Sequence, residues 1–543
     1  MPAAAAAHIR TSPHIVAIIL DDWGFNNWGY RAKGLANSLE VKTPNLDELA
    51  AKGLVLDRHY TASICSPARA AFQTGRHPIH VDASNGVEAR YNPADSISGF
   101  EGISANFTVI AEKMAAAGYM THYVGKWHVG HASRRQLPSA RGYSTFLGYF
   151  TAGINFWTYG AVNGICAPAD TLLTDLWEHN ATTDGPAVAL KPSSKCASTQ
   201  GSCSYADELY QQRASQIILK HGPERPLFLV YAPHAIHAPL DPPAKRLQEF
   251  AFIKDNTARR AYAATLADID TRIGAIIKNL KAMRMWASTL IVVTSDNGGP
   301  TAFADGASNY PLRGGKYGNF EGGVRVNAVV SGGYLPKAQR GAVATGLIGI
   351  EDWYSTFCAL AGQDPFDKKA SAAGLPPVDS INMWPYLSGQ VAASPRQEII
   401  FSANAVDKPI NGAIPYVQGV LDERGFKLIL GAVYTSSWSP QVNPTNTTGI
   451  PSKKYCGDRN KSLVYPYTGA CLFNVFADPS ERKDLALGGA HQEDIARLAK
   501  RIVDLNKTVF APDRGPVPSN PADSVACKHA VAELSGFEGP WLD

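Results

Sequence analysis

The sequence predicts an α/β fold: a large, mixed, mostly parallel sheet sandwiched by helices, then a smaller C-terminal α+β domain containing an antiparallel sheet. The large sheet is predicted from four strand-like runs, at 14–20, 119–124, 226–232 and 288–295, of which the first is continuously apolar and β-branched. Helical patterns separate these runs, and such alternation produces a mostly parallel sheet with helices on both faces. The smaller domain is predicted because shorter strand-like runs follow one another after about residue 400.

Local signals support the individual elements of the large sheet. "HIVAIIL" at 14–20 has the continuous apolar character of a buried parallel strand. "TPNLDELAAKG" predicts a helix with Thr43 as its N-cap, Pro44 at its first position and Gly53 as its stop. A long amphipathic segment, "ARRAYAATLADIDTRIGAIIKNLKAM", predicts a helix before the strand at 288–295.

The chain of 543 residues exceeds one average domain, and we expect a boundary near residue 400. Residues 12–400 are then the main domain and residues 401–543 the smaller α+β domain. In the smaller domain, "PYVQGVL" and "FKLILGAVY" are expected to pair as antiparallel strands. "QEDIARLAKRIVDLN" predicts a late helix.

Charge and hydropathy argue against two classes of partner. The 51 basic and 47 acidic residues are mixed along the chain, and the formal charge of +4 does not indicate nucleic acid or an anionic membrane surface. No apolar run approaches the roughly 18–20 residues that span a bilayer. We therefore expect no nucleic acid partner and no membrane span.

The amino terminus and the glycosylation sequons give different indications of compartment. The start, "MPAAAAAHIR", lacks the apolar core of a signal peptide. Asn-X-Ser/Thr sequons nevertheless suit a chain that passes through a secretory pathway, and they occur at Asn106, Asn180, Asn446, Asn460 and Asn506. We expect a secreted or lysosome-like location, although no signal peptide is visible.

The eight cysteines lack the CxxC spacing of structural zinc sites. Cys358 lies in a helix-like run and is expected to be a buried free thiol. If Cys65 is also unpaired, six cysteines remain, enough for three disulfides in an oxidising compartment. The short spacings suggest two local pairs, Cys196 with Cys203 and Cys456 with Cys471.

Polar side chains follow the predicted strands, where ligands of open α/β sheets bind. These residues are Asp21, Asp22, Lys126, His128, His234, His237, Asp296 and Asn297, and Lys316 follows in "LRGGKYGNFEGG". An Asp pair after a strand can also form a turn or cap, and a single histidine is more often a core residue. Carboxylates completed by an Asn carbonyl are, however, the ligands that hard divalent cations prefer, so calcium or magnesium is the predicted metal.

Cys65 is predicted to lie at the amino terminus of a helix. Ser66 is expected to be the N-cap and Pro67 the first helical residue, with Arg69 alongside. The helix dipole and the guanidinium then favour an anion and make the thiol acidic. A thiolate suggests a cysteine hydrolase with a strand-end histidine as base. A carboxylate-bound cation and two lysines fit the transfer of an anionic group better.

The run "CSPARAAFQTGR", which begins at Cys65, resembles the signature of the type I sulfatases of the alkaline phosphatase superfamily. Further matches extend from Asp21 to "LFNVFADPSERKDLA" at 472–486, so the resemblance covers most of the chain. "RGYSTFLGYF", "IHAPL" and "LRGGKYGNFEGGVR" are most similar to arylsulfatase B-like sulfatases. The resemblance implies an alkaline phosphatase-like fold with residues 12–400 as the sulfatase catalytic domain.

The resemblance also implies a modification and a metal. In this family a formylglycine-generating enzyme oxidises the cysteine to Cα-formylglycine, whose hydrate is the nucleophile. Cys65 is the matching residue, and one calcium ion, rather than magnesium, is expected on Asp21, Asp22, Asp296, Asn297 and residue 65. The residues expected around the sulfate are Arg69, Lys126, His128, His237 and Lys316.

Roles in proton transfer follow from the same resemblance. His237, or Lys316 beside it, is expected to protonate the departing alcohol. His128 is expected to deprotonate the second hydroxyl of the hydrate, so that sulfate leaves. The metal, Arg69 and the lysines stabilise charge on the sulfuryl oxygens. The role of His234 stays open.

The expected function is hydrolysis of sulfate esters, either of a sulfated sugar or polysaccharide or of an aryl sulfate. An N-acetylgalactosamine-4-sulfatase activity follows from the arylsulfatase B resemblance alone, and an algal-type sulfated polysaccharide is equally compatible. One alternative is a phosphonate monoester or phosphodiester hydrolase that uses the same nucleophile. Another is a catalytically silent glycan-binding homologue that keeps Cys65 as a thiol.

Overall fold

Two sheets of unequal size organise the protein. The computed structural model describes residues 12–82, 88–162, 164–166, 173–200, 202–222, 224–301, 306–403, 417–443, 453–456, 470–516 and 518–542. The amino-terminal "MPAAAAAHIR" and the sequons at Asn446 and Asn460 therefore lie outside the described residues.

The strands within these ranges are mostly short. In chain order they are β1 (His14–Leu20), β2 (Leu54–Leu56), β3 (His59–Tyr60), β4 (Met120–Lys126), β5 (Thr145–Tyr149), β6 (Gly153–Ile154), β7 (Ala161–Val162), β8 (Trp177–His179), β9 (Asp184–Pro186), β10 (Leu227–Ala232), β11 (Thr289–Ser295), β12 (Arg325–Val326), β13 (Ala328–Ser331), β14 (Ala342–Ala344), β15 (Ile348–Gly349), β16 (Glu398–Ser402), β17 (Val417–Asp422), β18 (Phe426–Ile429), β19 (Gly431–Tyr434), β20 (Lys453–Cys456) and β21 (Cys471–Asn474).

The helices vary from one turn to seven. In chain order they are α1 (Gly29–Ala32), α2 (Pro44–Ala51), α3 (Cys65–Thr74), α4 (Ile110–Ala116), α5 (Ala206–Lys220), α6 (Ala244–Glu249), α7 (Thr257–Ala282), α8 (Glu321–Val324), α9 (Asp352–Leu360), α10 (Lys368–Ala372), α11 (Trp384–Leu387), α12 (Gln492–Asn506) and α13 (Val525–Ala532). In the described part of the chain, no helix is both long and apolar enough to cross a membrane.

The large sheet has the strand order β14-β2-β13-β11-β1-β10-β4-β5-β8-β9. Its central strands β11, β1, β10, β4 and β5 are parallel. Antiparallel neighbours extend it on both sides. The predicted mixed, mostly parallel sheet is thus confirmed. Strand β1 has the predicted bounds. Strands β10 and β11 begin one residue later than predicted, and β4 begins one residue later and ends two residues later.

Side chains along β1 alternate between two helix layers. Ile15 and Ile19 pack in a core with residues of α3, α4 and α9. Val16 and Ile18 pack on the opposite face with α2, α5 and α7. A fully buried aliphatic side chain contributes about 1.5–3 kcal/mol, so both faces favour apolar residues. This explains why the strand is continuously apolar instead of alternating with polar residues.

The small sheet is antiparallel and has the order β16-β17-β18-β21. Strands β17 and β18 pair as the sequence predicts. Helix α12 covers this sheet, with Leu498 and Ile502 packed against Val420 and Leu428. The boundary near residue 400 stays a prediction, and β16 runs across it.

The last described segment packs against the main domain, although the sequence predicts residues 401–543 as one smaller domain. Cys527 in α13 is disulfide-bonded to Cys166. The Trp541 amide donates a hydrogen bond to the Ala132 carbonyl at 2.9 Å. Residues after α12 therefore contribute to the surroundings of the large sheet.

The cysteines are paired as the short spacings suggest. Cys196 is bonded to Cys203 and Cys456 to Cys471. The third disulfide, Cys166–Cys527, joins residues that are 361 positions apart. Cys65 and Cys358 are buried free thiols.

Candidate active site

The predicted strand-end residues meet at one edge of the large sheet. Because the central strands are parallel, their carboxyl ends lie side by side and the polar side chains after them converge. The residues at this edge are Asp21 and Asp22 after β1, Lys126 at the end of β4, His237 beyond β10, and Asp296 and Asn297 after β11. Lys316 reaches the same place from the loop before α8.

Two of the predicted site residues, Asp22 and His128, have a left-handed backbone conformation. Asp22 has a φ of 61° and His128 a φ of 50°. A non-glycine residue in this region costs about 1–3 kcal/mol, so neighbouring contacts must hold it there. The Tyr262 hydroxyl donates to the Asp22 carbonyl at 2.8 Å, and the Ser66 hydroxyl donates to the His128 carbonyl at 2.8 Å.

Cys65 is the first residue of α3 and is fully buried. The N-cap is Ile64, so the predictions of Ser66 as N-cap and of Pro67 as the first helical residue are wrong. The physical reason is that Ser66 lies inside the first turn, where its hydroxyl donates to the carbonyl of His128. The helix ends at Gly75, whose φ of 66° favours glycine.

In one half of the site, Arg69 links Asp21 to Asp296, and Lys126 also pairs with Asp21. Lys126 Nζ lies 2.6 Å from Asp21 Oδ2. Arg69 donates to Asp296 Oδ2 from Nε at 3.0 Å and from Nη2 at 2.8 Å, and Nη2 is 3.4 Å from Asp21 Oδ2. Burial raises the pKa of Asp21, but Lys126 and the other nearby cations hold it well below its usual value. The carboxylate therefore stays ionised.

The other half is built around Asp22. Lys316 Nζ lies 2.9 Å from each carboxylate oxygen of Asp22, and Asn297 Nδ2 donates to Asp22 Oδ1 at 2.7 Å. His237 Nε2 is 3.7 Å from Asp22 Oδ2. Burial lowers the pKa of Lys316, but Asp22 raises it, and the result is well above the ordinary value. Lys316 is therefore an ammonium ion.

Burial has the largest effect on the pKa of the Cys65 thiol. Its Sγ lies 3.7 Å from Asp21 Oδ1. Desolvation raises the pKa of this thiol to about 12, and the charges of Lys126 and Lys316 offset only part of the rise. The prediction of an acidic thiol is therefore wrong, because desolvation outweighs the charges of the nearby lysines.

Several ligand atoms are close enough to share one metal ion. Atoms from Asp21, Asp22, Cys65 and His237 lie within 4.8 Å of one another. Asn297 Oδ1 is buried and has no hydrogen-bond partner in the structure. A buried amide oxygen without a partner is unusual, and together with carboxylate oxygens it fits a hard divalent cation. His237, predicted beside the sulfate, belongs to this group of atoms.

A family model described as Sulfatase matches residues 13–363 of the chain. The chain belongs to the sulfatase family. This sulfatase is 31% identical to arylsulfatase J of Mus musculus, over 98% of its own length and 80% of the relative's. It is 30% identical to N-acetylgalactosamine-6-sulfatase of Homo sapiens, over 92% and 86% of the two lengths. The predicted family is confirmed, and the protein is a sulfuric ester hydrolase.

The fold of the sulfatase is also found in a solved structure. The crystal structure of Ps i-CgsB in complex with k-i-k-neocarrahexaose matches with a TM-score of 0.68 at 21% identity, covering 93% of this chain and 94% of that chain. At this identity the likeness concerns the fold alone. It agrees with the predicted alkaline phosphatase-like architecture.

The histidines of the sulfatase differ in their partners. His128 Nδ1 is buried without a hydrogen-bond partner in the structure, and its Nε2 lies 3.9 Å from Glu88 Oε1. His234 Nδ1 is 2.9 Å from the Tyr149 hydroxyl. The ring of His234 lies 5.5 Å from that of His237. His234 is thus a buried neighbour of the site.

Two carboxylates near the site belong to no motif that the sequence shows. Glu88 approaches His128, and Glu538 approaches His131. Each is a lone acidic residue outside the family motif. Nothing in the neighbouring sequence distinguishes them from surface carboxylates. Their position next to histidines results from packing between segments that are far apart in the chain.

Proposed function

We propose that this sulfatase hydrolyses the sulfate esters of a sulfated sugar, with a formylglycine made from Cys65 as its nucleophile. The position of Cys65 carries the proposal: it is fully buried at the start of α3, and its Sγ shares a ligand cluster with Asp21 and Asp22. A thiol of high pKa is a poor nucleophile in this place. A hydrated aldehyde would supply one hydroxyl to attack sulfur and a second whose proton must leave when sulfate departs.

The sugar substrate is inferred from the proteins that this chain resembles. One relative is an N-acetylgalactosamine-6-sulfatase, and the matched structure was determined with k-i-k-neocarrahexaose. These names support a carbohydrate substrate. They do not favour the predicted 4-sulfate over a 6-sulfate, so the proposal extends only to the class of sulfated sugars.

Calcium is the proposed metal. The ligands are inferred to be Asp21, Asp22, Asp296, Asn297 and residue 65. The partnerless Oδ1 of Asn297 and the clustered carboxylate oxygens support this set. Calcium is preferred to magnesium because it accepts many protein oxygens, whereas magnesium usually keeps several waters. When bound, the ion would draw negative charge from the sulfuryl oxygens.

Cations of the chain complete the sulfate pocket in this proposal. Arg69, Lys126 and Lys316 pair with the carboxylates around position 65 and are placed to stabilise sulfuryl oxygens. His237 Nδ1 is 2.6 Å from the Ala238 carbonyl, which can only accept, so this nitrogen carries the hydrogen. Burial lowers the pKa of His237 to about 3, and its Nε2 then has no proton to give. We therefore assign protonation of the departing alcohol to Lys316.

His128 is the proposed base for sulfate release. Its Nδ1 has no hydrogen-bond partner in the structure and is free to accept a proton. Desolvation, together with Lys126 and Arg69, holds the pKa of His128 well below its ordinary value. The ring is therefore neutral before the reaction, as a base must be.

The maturation partner and the compartment follow from the same proposal. Conversion of Cys65 requires a formylglycine-generating enzyme. The three disulfides fit an oxidising compartment, which supports a secreted or lysosome-like location.

Peptide mass spectrometry combined with kinetics tests the proposed function. In protein from a host that has the maturing enzyme, we expect formylglycine in the tryptic peptide 59–69 and a higher kcat/KM for nitrophenyl sulfate than for a phenylphosphonate ester. Cys65→Ala is expected to lower kcat at least about 10³-fold, since it removes the nucleophile. Cys358→Ala, which removes the other buried free thiol, is the matched control and is expected to keep the activity.

Other outcomes would point to other functions. An unmodified thiol in active protein would overturn the proposed nucleophile. A large preference for the phosphonate ester would indicate the phosphonate monoester or phosphodiester hydrolase. Binding of sulfated sugars without turnover, by protein that keeps Cys65 as a thiol, would indicate a glycan-binding homologue.

A further inference from the structure

Glu88 lies beside the proposed base. Its Oε1 is 3.9 Å from His128 Nε2, and its Oε2 is 3.3 Å from His131 Nδ1. The Glu88 side chain is only 12% exposed, and the two histidines are 4% and 1% exposed. A carboxylate enclosed in this way needs positive charge close to it.

His131 connects Glu88 to the C-terminal segment. Its Nε2 lies 3.4 Å from Glu538 Oε2, and its ring stacks on Phe150 at 5.3 Å. Glu538 is fully buried, and its Oε1 accepts the Ile165 amide at 3.1 Å. Burial lowers the pKa of His131, but Glu538 and Glu88 raise it to about 9. His131 is therefore a cation at neutral pH.

Three further acidic groups act on Glu88. Burial raises the pKa of Glu88 to about 8; His131 opposes this, whereas Glu538, Glu101 and Asp175 add to it, so Glu88 is a carboxylate above about pH 8. Glu101 is bound by Arg514 at 2.8 Å, so that arginine is already paired.

Once Glu88 is ionised, negative charge is in excess on the side of His128 that faces it, whereas Lys126 and Arg69 act on the ring from the sulfate pocket. One imidazolium, His131, faces the two carboxylates of Glu88 and Glu538. A proton taken up by His128 would neutralise this excess, because its Nε2 faces Glu88. The carboxylate also favours a hydrogen on Nε2, which leaves the lone pair on Nδ1. This is the partnerless nitrogen.

We propose that Glu88 is a positioning residue for His128: it orients the imidazole and provides the countercharge for the proton that the ring takes up. Glu538 and His131 hold Glu88 in place, so the C-terminal segment is part of the active site. The inference rests on the proposed role of His128 in sulfate release. The proton moves from the second hydroxyl of the hydrate to His128 Nδ1, while the hydrogen on Nε2 stays directed at Glu88.

The experiment compares Glu88→Gln with Glu88→Asp and the wild-type enzyme. Each protein is mixed with an aryl sulfate above about pH 8, where Glu88 is a carboxylate, and is then quenched. Sulfate retained on peptide 59–69 is measured by mass spectrometry. We expect Glu88→Gln to retain sulfate and to lower kcat about 10- to 100-fold, because release is slowed. Glu88→Asp keeps the charge and is expected to restore part of the rate. Glu178→Gln, on a carboxylate of β8 that pairs with Arg213, is the control and is expected to behave as wild type.

A merely structural role for Glu88 predicts a different pattern. Loss of rate without retained sulfate, or equal loss in the Gln and Asp variants, would overturn the inference. If Glu88→Gln does not fold, the Asp variant decides alone: partial retention of sulfate supports the proposal, and wild-type release or full loss without retention contradicts it. Wild-type protein that lacks formylglycine or aryl sulfatase activity would instead contradict the proposed function.

Discussion

Charge balance at the candidate site depends on six buried side chains. Three carboxylates are matched by three cations: Asp21, Asp22 and Asp296 by Arg69, Lys126 and Lys316. Pairing makes this burial tolerable, because an isolated ion in the interior costs several kcal/mol. A divalent cation would add positive charge and a sulfate group would offset it. We therefore expect metal and substrate to favour each other's binding.

Substitution of a single residue, Asn297, tests the proposed calcium site. We expect Asn297→Ala to weaken calcium binding at least about tenfold, because the substitution removes the partnerless amide oxygen. The measurement is calorimetric titration of calcium into chelator-treated protein. Asn279→Ala, which removes a side-chain hydrogen bond to Ser215 on the helix layer, is expected to leave the affinity unchanged. Equal affinities in both variants would argue against Asn297 as a ligand.

At the scale of elements, the small sheet holds the loop that carries Lys316. Lys427 on β18 lies 2.9 Å from Glu321 Oε1 at the start of α8 and 3.0 Å from Glu481 Oε1. All three side chains are fully buried. The Glu321 amide also donates to Glu481 Oε2 at 2.7 Å. Strand β18 and the turn after β21 thus fix the point where the Lys316 loop ends.

Substitution of Lys427 tests how much the buried cluster of Lys427, Glu321 and Glu481 contributes to the stability of the protein. We expect Lys427→Met to lower the free energy of unfolding by about 3–5 kcal/mol, because two buried carboxylates lose their partner. Urea denaturation followed by fluorescence measures the loss. Lys500→Met, on an exposed ion pair with Asp504, is the control and is expected to cost less than about 1 kcal/mol. Similar losses in the two variants would contradict the role of burial.

At the scale of the whole molecule, two histidines near the amino ends of the central strands make stability depend on pH. His14 on β1 and His122 on β4 are buried. Desolvation, with the charge of His221 adding to it, lowers the pKa of each to about 4. An unfolded chain protonates histidine near pH 6.5. Their stabilisation is therefore complete above about pH 6.5 and is lost as the pH falls towards about 4.

His122→Asn tests this pH dependence. The Asn amide can keep the bond that His122 Nδ1 makes with the Thr145 hydroxyl at 2.8 Å, but it does not titrate. We expect the loss of unfolding free energy between about pH 7.5 and about pH 5 to shrink by on the order of 2 kcal/mol. Thr145→Val removes the bond but keeps the titrating ring, so its pH dependence is expected to match wild type. An unchanged pH dependence in His122→Asn would contradict the prediction.

Local sequence was sufficient to predict the central strands of the large sheet and the residues that make up the candidate site. Strand-like runs predicted β1, β4, β10 and β11. The continuous apolar run of β1 was informative because a strand covered by helices on both faces needs apolar residues on both. Polar residues after those strands were predicted to meet, because the carboxyl ends of parallel strands share one edge. The twelve-residue run at Cys65 predicted the family. Each of these signals lies within a short stretch of chain.

Other features depended on how distant segments pack. Glu88 contacts His128, and Lys427 contacts Glu321. No sequence pattern predicts either contact. Burial also reversed the predicted acidity of Cys65, because its pKa depends on what surrounds the thiol in space. Periodicity and motifs record the local backbone and one face of an element. Desolvation and charge pairing are sums over neighbours from the whole chain, so they become known once the chain is folded.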